Sequence, residues 1–149
     1  MLEVKRLTSY DIGPGIALAM EGIEDLALKD STFDPIMFNF KIKNMFVTPG
    51  VNTFGLYSNT FLVGFFVFSE QQMIWSSMKK ILFEFLYLKK EYRSDENIEY
   101  VVDLLEKKMI EEGYESVIVS NNDPFISEEL LQKRNYKATT TVYEKINRY

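Results

Sequence analysis

The sequence predicts an α/β chain, and three observations lead there. Strand-length apolar segments between Thr53 and Leu88 follow one another across short polar turns, the pattern of a meander. Asp34-Pro35 and Asp123-Pro124 each place a capping acid before a first-turn proline, one pair on either side of that meander. Ile98, Val101, Val102, Leu105 and Met109 repeat at helical spacing, with a short apolar run, Val117 to Val119, beyond them.

Taken in order, Leu2 to Leu7 alternates as a short strand. Ser9 and Asp11 are capping residues for a helix whose apolar stripe is Ile16, Met20 and Ile23, with Pro14 confined to its first turn. Asp34-Pro35 opens a second helix with Phe38, Ile42, Met45 and Phe46 on one face, and Thr48 to Val51 ends it. Thr53 to Tyr57 and Thr60 to Ser69 are strands joined at Ser58-Asn59. Gly64, inside the second strand, signals a close backbone approach or a bulge. Gln71 to Lys79 is the far turn of another hairpin, and Lys80 to Leu88 is the third strand. The clearest helix follows and ends at Gly113 as a C-cap. Val117 to Val119 is continuously apolar, as expected of a strand covered on both faces. Asp123-Pro124 opens a last helix carrying Ile126 and Leu130, and Ala138 to Glu144 closes the chain as a strand. Phe38, Phe40, Phe46, Phe61, Phe65, Phe66 and Phe68 read as core.

The 149 residues suit one domain, 1–149, with room for a core. A net charge of −5 disfavours a nucleic-acid partner. With no Cys and no His, disulfides, thiolate nucleophiles, His-based triads and most zinc sites are excluded, and no metal is expected. Acid–base chemistry must then rest on Asp, Glu, Tyr, Lys, an amino terminus or water. MLEVKRLTSYD lacks a signal-peptide core, and no run approaches the roughly 18 apolar residues of a membrane span. The expectation is a cytoplasmic protein with no membrane partner. The 12 Phe and 9 Tyr leave room for an apolar face between two copies, that is, a homodimer.

Chemistry concentrates in Ile81 to Leu105, ILFEFLYLKKEYRSDENIEYVVDLL. An apolar strand interrupted by Glu84 runs into a basic turn (Lys89, Lys90, Arg93), and a helix opens. Free N–H groups at a helix start attract phosphate. Ser94, Asp95, Glu96 and Asn97 stand where glycines would let a backbone close on that phosphate. The same residues also read as a plain cap, with Ser94 or Asp95 accepting from free amides and the acids favouring the helix dipole. Glu84 is likewise either a working carboxylate or a surface group paired with Lys79 or Lys80.

The order of elements (β, two helices, three strands, helix, strand, helix, strand) is similar to that of the GNAT acetyltransferase superfamily. EVKRLTSYDI resembles its first strand and helix entry, and NTFLVGFF its hairpin strand with a glycine after an apolar pair. FEFLYLKKEYR looks like the fourth strand and the turn to the coenzyme loop. YESVIVSNN with LLQKRNYK resembles the fifth strand, last helix and following turn. DSTFDPIMFNFKIKNMF is similar to small phage-encoded members. The resemblance spans nearly the whole chain and implies a mixed, mostly antiparallel sheet flanked by helices on both faces.

The resemblance also implies a function: an acetyl group passing from acetyl-CoA to an amine by direct attack, with no acyl-enzyme. In such proteins the fourth and fifth strands splay and the pantetheine arm lies between them. Leu86, Tyr87 and Leu88 would then bind the arm through their backbone, Arg93, Ser94 and Asn97 would form the diphosphate loop, and Asn121 would bond the arm. Glu84 matches the carboxylate that takes the proton from the incoming ammonium, a task for which partial burial tunes an acid. The family's loop runs Arg or Gln, two residues, Gly, one residue, then Gly or Ala. Counted from Arg93, Glu96 and Ile98 fill the small positions, and a slip of one residue puts Asn97 and Glu99 there. Leu131 falls where a tyrosine often protonates the leaving thiolate, which leaves Tyr87, Tyr92 or Tyr136 to do so. These departures open an alternative: a GNAT-fold binding or structural protein that no longer uses coenzyme A. The acidic charge points to a cationic acceptor.

Overall fold

In the computed structural model, which describes residues 1–26, 32–120, 123–139 and 143–147, local chemistry sets most element boundaries. β1 (Glu3–Arg6) passes through a short turn, closed by a Thr8–Asp11 capping box, into α1 (Ile12–Asp25). Asp34 accepts from the Ile36 and Met37 amides, Pro35 occupies the first turn, and α2 (Pro35–Met45) follows. β2 (Val51–Ser58), β3 (Phe61–Gln71) and β4 (Lys80–Leu88) form the meander, with Asn59 left-handed (φ 56°) between the first two. Ser94 caps α3 (Asp95–Glu112), and Gly113, at φ 72°, ends it. β5 (Ser116–Val119) and α4 (Glu128–Lys133) complete the order.

The five strands lie in chain order, β1 to β4 antiparallel and β5 parallel to β4. This is the mixed, mostly antiparallel sheet expected, and helices cover both faces. Leu18, Ala19 and Ile42 of α1 and α2 pack against Phe65, Val67 and Tyr87 on one face. Val101, Val102, Leu105 and Leu131 of α3 and α4 pack against Phe83 and Leu86 on the other. Val101, Val102 and Leu105 are at most 1% exposed, so each stabilises by about 2 kcal/mol. Arg134, just past α4, fastens that helix to α3 by pairing with Asp103 and with Glu106 at 2.9 Å.

Two irregularities shape the middle of the sheet. β3 carries an extra residue, Val63, between the pairs Leu56–Gly64 and Tyr57–Leu62. Gly64 sits beside that bulge, and a Cβ there would lie 2.6 Å from the Tyr87 carbonyl oxygen. Bulge and close approach therefore both explain the glycine. β4 carries the second extra residue, Glu84, between the pairs Val67–Phe85 and Phe68–Phe83.

Several sequence expectations are corrected. The buried face of α1 is Gly15, Leu18, Ala19 and Gly22, not the Ile16, Met20 and Ile23 stripe, because Phe46 and Tyr87 press onto the two glycines. β5 is half-buried rather than covered on both faces, since it is the last strand of the described sheet. Asp123-Pro124 makes a turn in which Asp123 accepts from Phe125 and Ile126, and α4 starts later, capped by Ser127. Phe40 and Phe61 are exposed, not core. Ala138, Thr139, Tyr143 and Glu144 are not in a strand, and residues 140–142 of the expected closing strand lie outside the described residues.

Candidate functional site

β4 outruns its neighbour. Its parallel pairing with β5 ends at Phe83–Val119, while the strand continues through Leu88. Hydrogen bonding in an antiparallel ladder alternates from side to side. The Lys89 amide donates to Val63 on β3 at 2.9 Å, so Tyr87 and Phe85 also address β3, and Leu86 and Leu88 present their backbone groups to the opposite edge. Among the described residues no strand pairs with that edge beyond Phe83. An extended ligand with amide groups of its own could add there as a strand does.

One of those edge groups is already engaged. Arg93 Nε donates to the Leu88 carbonyl at 2.8 Å, and the same guanidinium forms an ion pair with Asp25 at the end of α1. The guanidinium carbon lies 5.6 Å from the Tyr87 ring centre and 5.0 Å from that of Phe125. Phe125 reaches in from the turn after β5 and meets Tyr87 edge-on, with ring centres 6.4 Å apart. The Tyr87 hydroxyl donates to Asp25 at 3.2 Å. Hydrogen bonding from Arg93 holds the Asp25 carboxyl below its ordinary value, while burial, with the charges of Glu21 and Asp25, pushes the Tyr87 phenol up to about 12. Tyr87 thus keeps its proton at neutral pH.

The start of α3 is a capped helix start. Ser94 Oγ accepts from the Asn97 amide at 3.1 Å, and Asn97 Nδ2 donates to the Tyr92 carbonyl at 2.8 Å. The helical ladder begins with the Ile98 amide on Ser94 O, so the Asp95 and Glu96 amides lie outside it and face the turn. The cations of the turn look toward α1: Lys89 Nζ stands 3.7 Å from Glu21, and Arg93 pairs with Asp25. Lys90 and Glu91 line a groove of about 390 Å³ with Glu21, Glu24, Asp25 and Tyr87.

Glu84 lies on the α1–α2 face, at the β4 bulge. It is exposed rather than partly buried, and the bulge turns it to the same side as Phe85. Ser69 Oγ donates to Glu84 Oε1 at 2.9 Å, whereas Lys79 pairs with Glu70. Tyr136 is committed elsewhere, its hydroxyl donating to Glu106 on α3 at 3.4 Å, and Leu131 is core. The structure thus gathers Leu86, Tyr87, Leu88, Arg93, Ser94 and Asn97 around one corner, with Glu84 back along β4. Asn121 lies outside the described residues. Sequence reasoning missed Asp25 and Phe125, the two partners that fix Arg93. No local pattern marks either one.

The same architecture recurs in solved acetyltransferases. The chain superposes with a TM-score of 0.74 on a ribosomal-protein-alanine N-acetyltransferase from Brucella melitensis biovar Abortus 2308, at 16% identity over 99% of each chain. A predicted acetyltransferase from Clostridium acetobutylicum, solved with acetyl-CoA, gives 0.74 at 10% identity over 98% of this chain and 96% of that one. The aminoglycoside acetyltransferase meta-AAC0020 from an uncultured soil metagenomic sample, in complex with sisomicin, gives 0.70 at 16% identity over 99% and 95%. No family model matches the chain, and no curated protein matches it by sequence. The protein has the GNAT acetyltransferase fold. Among its described residues no helix is long and apolar enough to cross a membrane, and no three acidic side chains form a metal-binding group.

Proposed function

We propose that this protein is an N-acetyltransferase that moves an acetyl group from acetyl-CoA to an amine. The observation that carries the reading is the β4 edge beyond Phe83, left by β5 and bordered by the bulge at Glu84. The residues fit the coenzyme's arm: Leu86 and Leu88 offer edge amides and carbonyls, and α3 offers the Asp95 and Glu96 amides at its positive end. When bound, the thioester supplies the acyl group for direct transfer. Ser69 orients Glu84 through Oε1, and Glu84 Oε2 takes the proton of the incoming ammonium, directly or through water. Leu86 and Leu88 align the arm, while the Tyr87 phenol, tied to Asp25, holds α1 against β4.

A second reading has its own observation. Arg93, Ser94 and Asn97 are all engaged within the chain, as they would be in a GNAT-fold binding module without coenzyme. Calorimetric titration with acetyl-CoA separates the two. Saturable heat is expected on the first reading, and no binding at millimolar coenzyme leaves the second.

A further inference from the structure

We propose that Arg93 is a latch across the coenzyme edge, held shut by Asp25, and that it must swing away before an extended ligand can add to β4. The inference rests on the transferase reading and concerns when its site is open. Three contacts close the latch. The Leu88 carbonyl, one of the edge groups a ligand amide would use, accepts from Arg93 Nε at 2.8 Å. The guanidinium lies against the rings of both Tyr87 on β4 and Phe125 beyond β5, beside the point where those two rings meet edge-on. Asp25 anchors the far end of the fork from α1 and also accepts from the Tyr87 hydroxyl.

The arrangement makes Asp25 an internal rival of a ligand's phosphate. Arg93 immediately precedes the Ser94 cap of α3, so its released side chain is within reach of the amides where an anion would sit. Held by Asp25, the same side chain faces α1 and offers the anion nothing. A phosphate must therefore displace a carboxylate before it gains the cation. The ion pair is not sealed: the Arg93 and Asp25 side chains remain 21% and 31% exposed, so water can help it part. A latch of this kind weakens ligand binding by up to roughly fivefold rather than abolishing it.

Asp25→Asn keeps the shape and removes the charge that holds Arg93. Calorimetric titration with coenzyme A should show the variant binding about twofold to fivefold more tightly than the wild type, with unchanged stoichiometry. Binding by the variant alone is the same result in stronger form. Equal or weaker binding by Asp25→Asn, with measurable binding by the wild type, overturns the latch and leaves the transferase reading standing. Absence of binding by both at millimolar coenzyme A removes latch and transferase together. If thermal unfolding shows that Asp25→Asn is not folded, Arg93→Lys takes its place. It keeps a cation but cannot span Leu88 and Asp25 at once, and it faces the same comparison with the wild type.

Discussion

Replacing Gly64 with alanine puts a methyl group 2.6 Å from the Tyr87 carbonyl oxygen and 2.7 Å from Leu88 Cδ2. Real Cβ atoms essentially never approach closer than 3.0 Å, so the backbone of β4 has to move by several tenths of an ångström. The Leu88 methyl can rotate aside, but the carbonyl is part of the ladder and cannot. Overpacking of this kind costs about 1–3 kcal/mol. The lost glycine freedom of the unfolded chain offsets about 0.4–1 kcal/mol, so the net destabilisation lies between about 0 and 2.6 kcal/mol, centred near 1.3 kcal/mol. For a chain of 149 residues that central figure corresponds to a fall in Tm of about 3–5 °C. Urea unfolding should report the same loss as a lower midpoint with an unchanged slope. The sign is the test. If β3 and β4 do not approach as described, alanine is simply the better strand residue and the midpoint rises by about 0.5–1 kcal/mol equivalent. A rise refutes the close approach.

Other outcomes follow from the same geometry. Glu84→Gln should lower kcat about a hundredfold while leaving coenzyme affinity unchanged, and unaltered turnover removes Glu84 from the mechanism. Hydrogen bonds from Arg93 to Asp25 and from Tyr114 to Glu70 hold both carboxyls below their ordinary values of 3.8 and 4.5. The stability they contribute is full above those values and is lost as pH falls below them, so Asp25→Asn/Glu70→Gln should flatten the acid limb of urea midpoints measured from about pH 5 to about pH 2. An unchanged limb assigns acid sensitivity to other groups. Around the turn, Glu21, Glu24, Asp25, Glu91, Asp95 and Glu96 outnumber the cations Lys89, Lys90 and Arg93. Coenzyme affinity should therefore rise between about 0.05 and 0.3 M salt as repulsion is screened, and a steady fall would mean that the cations govern the approach.

What sequence could read was what neighbours along the chain decide. Asp34-Pro35 caps α2 because the aspartate meets amides two and three residues ahead, and Gly113 ends α3 because its φ of 72° suits glycine. The α3 stripe was legible for the same reason: helical spacing puts Ile98, Val101, Val102 and Leu105 on one side, where they are buried. Asp123-Pro124 marks the limit of such reasoning. Its aspartate also takes two amides, yet Phe125 is drawn toward Arg93 and Ile126 into the core before Ser127 caps the helix. The phase of α1 was hidden too, because Phe46 and Tyr87 choose Gly15 and Gly22 as contact surfaces from a distance in sequence.

The corner after β4 shows why a binding loop can be located by its composition without its state being legible. Lys89, Lys90 and Arg93 are cations beside a helix start, and that local fact suggests an anion. Two of the three meet Glu21 and Asp25, one helical turn apart on α1, a match that exists only once α1 lies along the sheet. The contacts that seat the end of α1 are therefore the contacts that turn these cations from the α3 amides. Any change that shifts the last turn of α1 must alter how Arg93 covers Leu88, and any anion that captures Arg93 must loosen α1. Coupling of that kind needs no further element. It follows from one guanidinium having two competing partners, of which the folded chain supplies only the first.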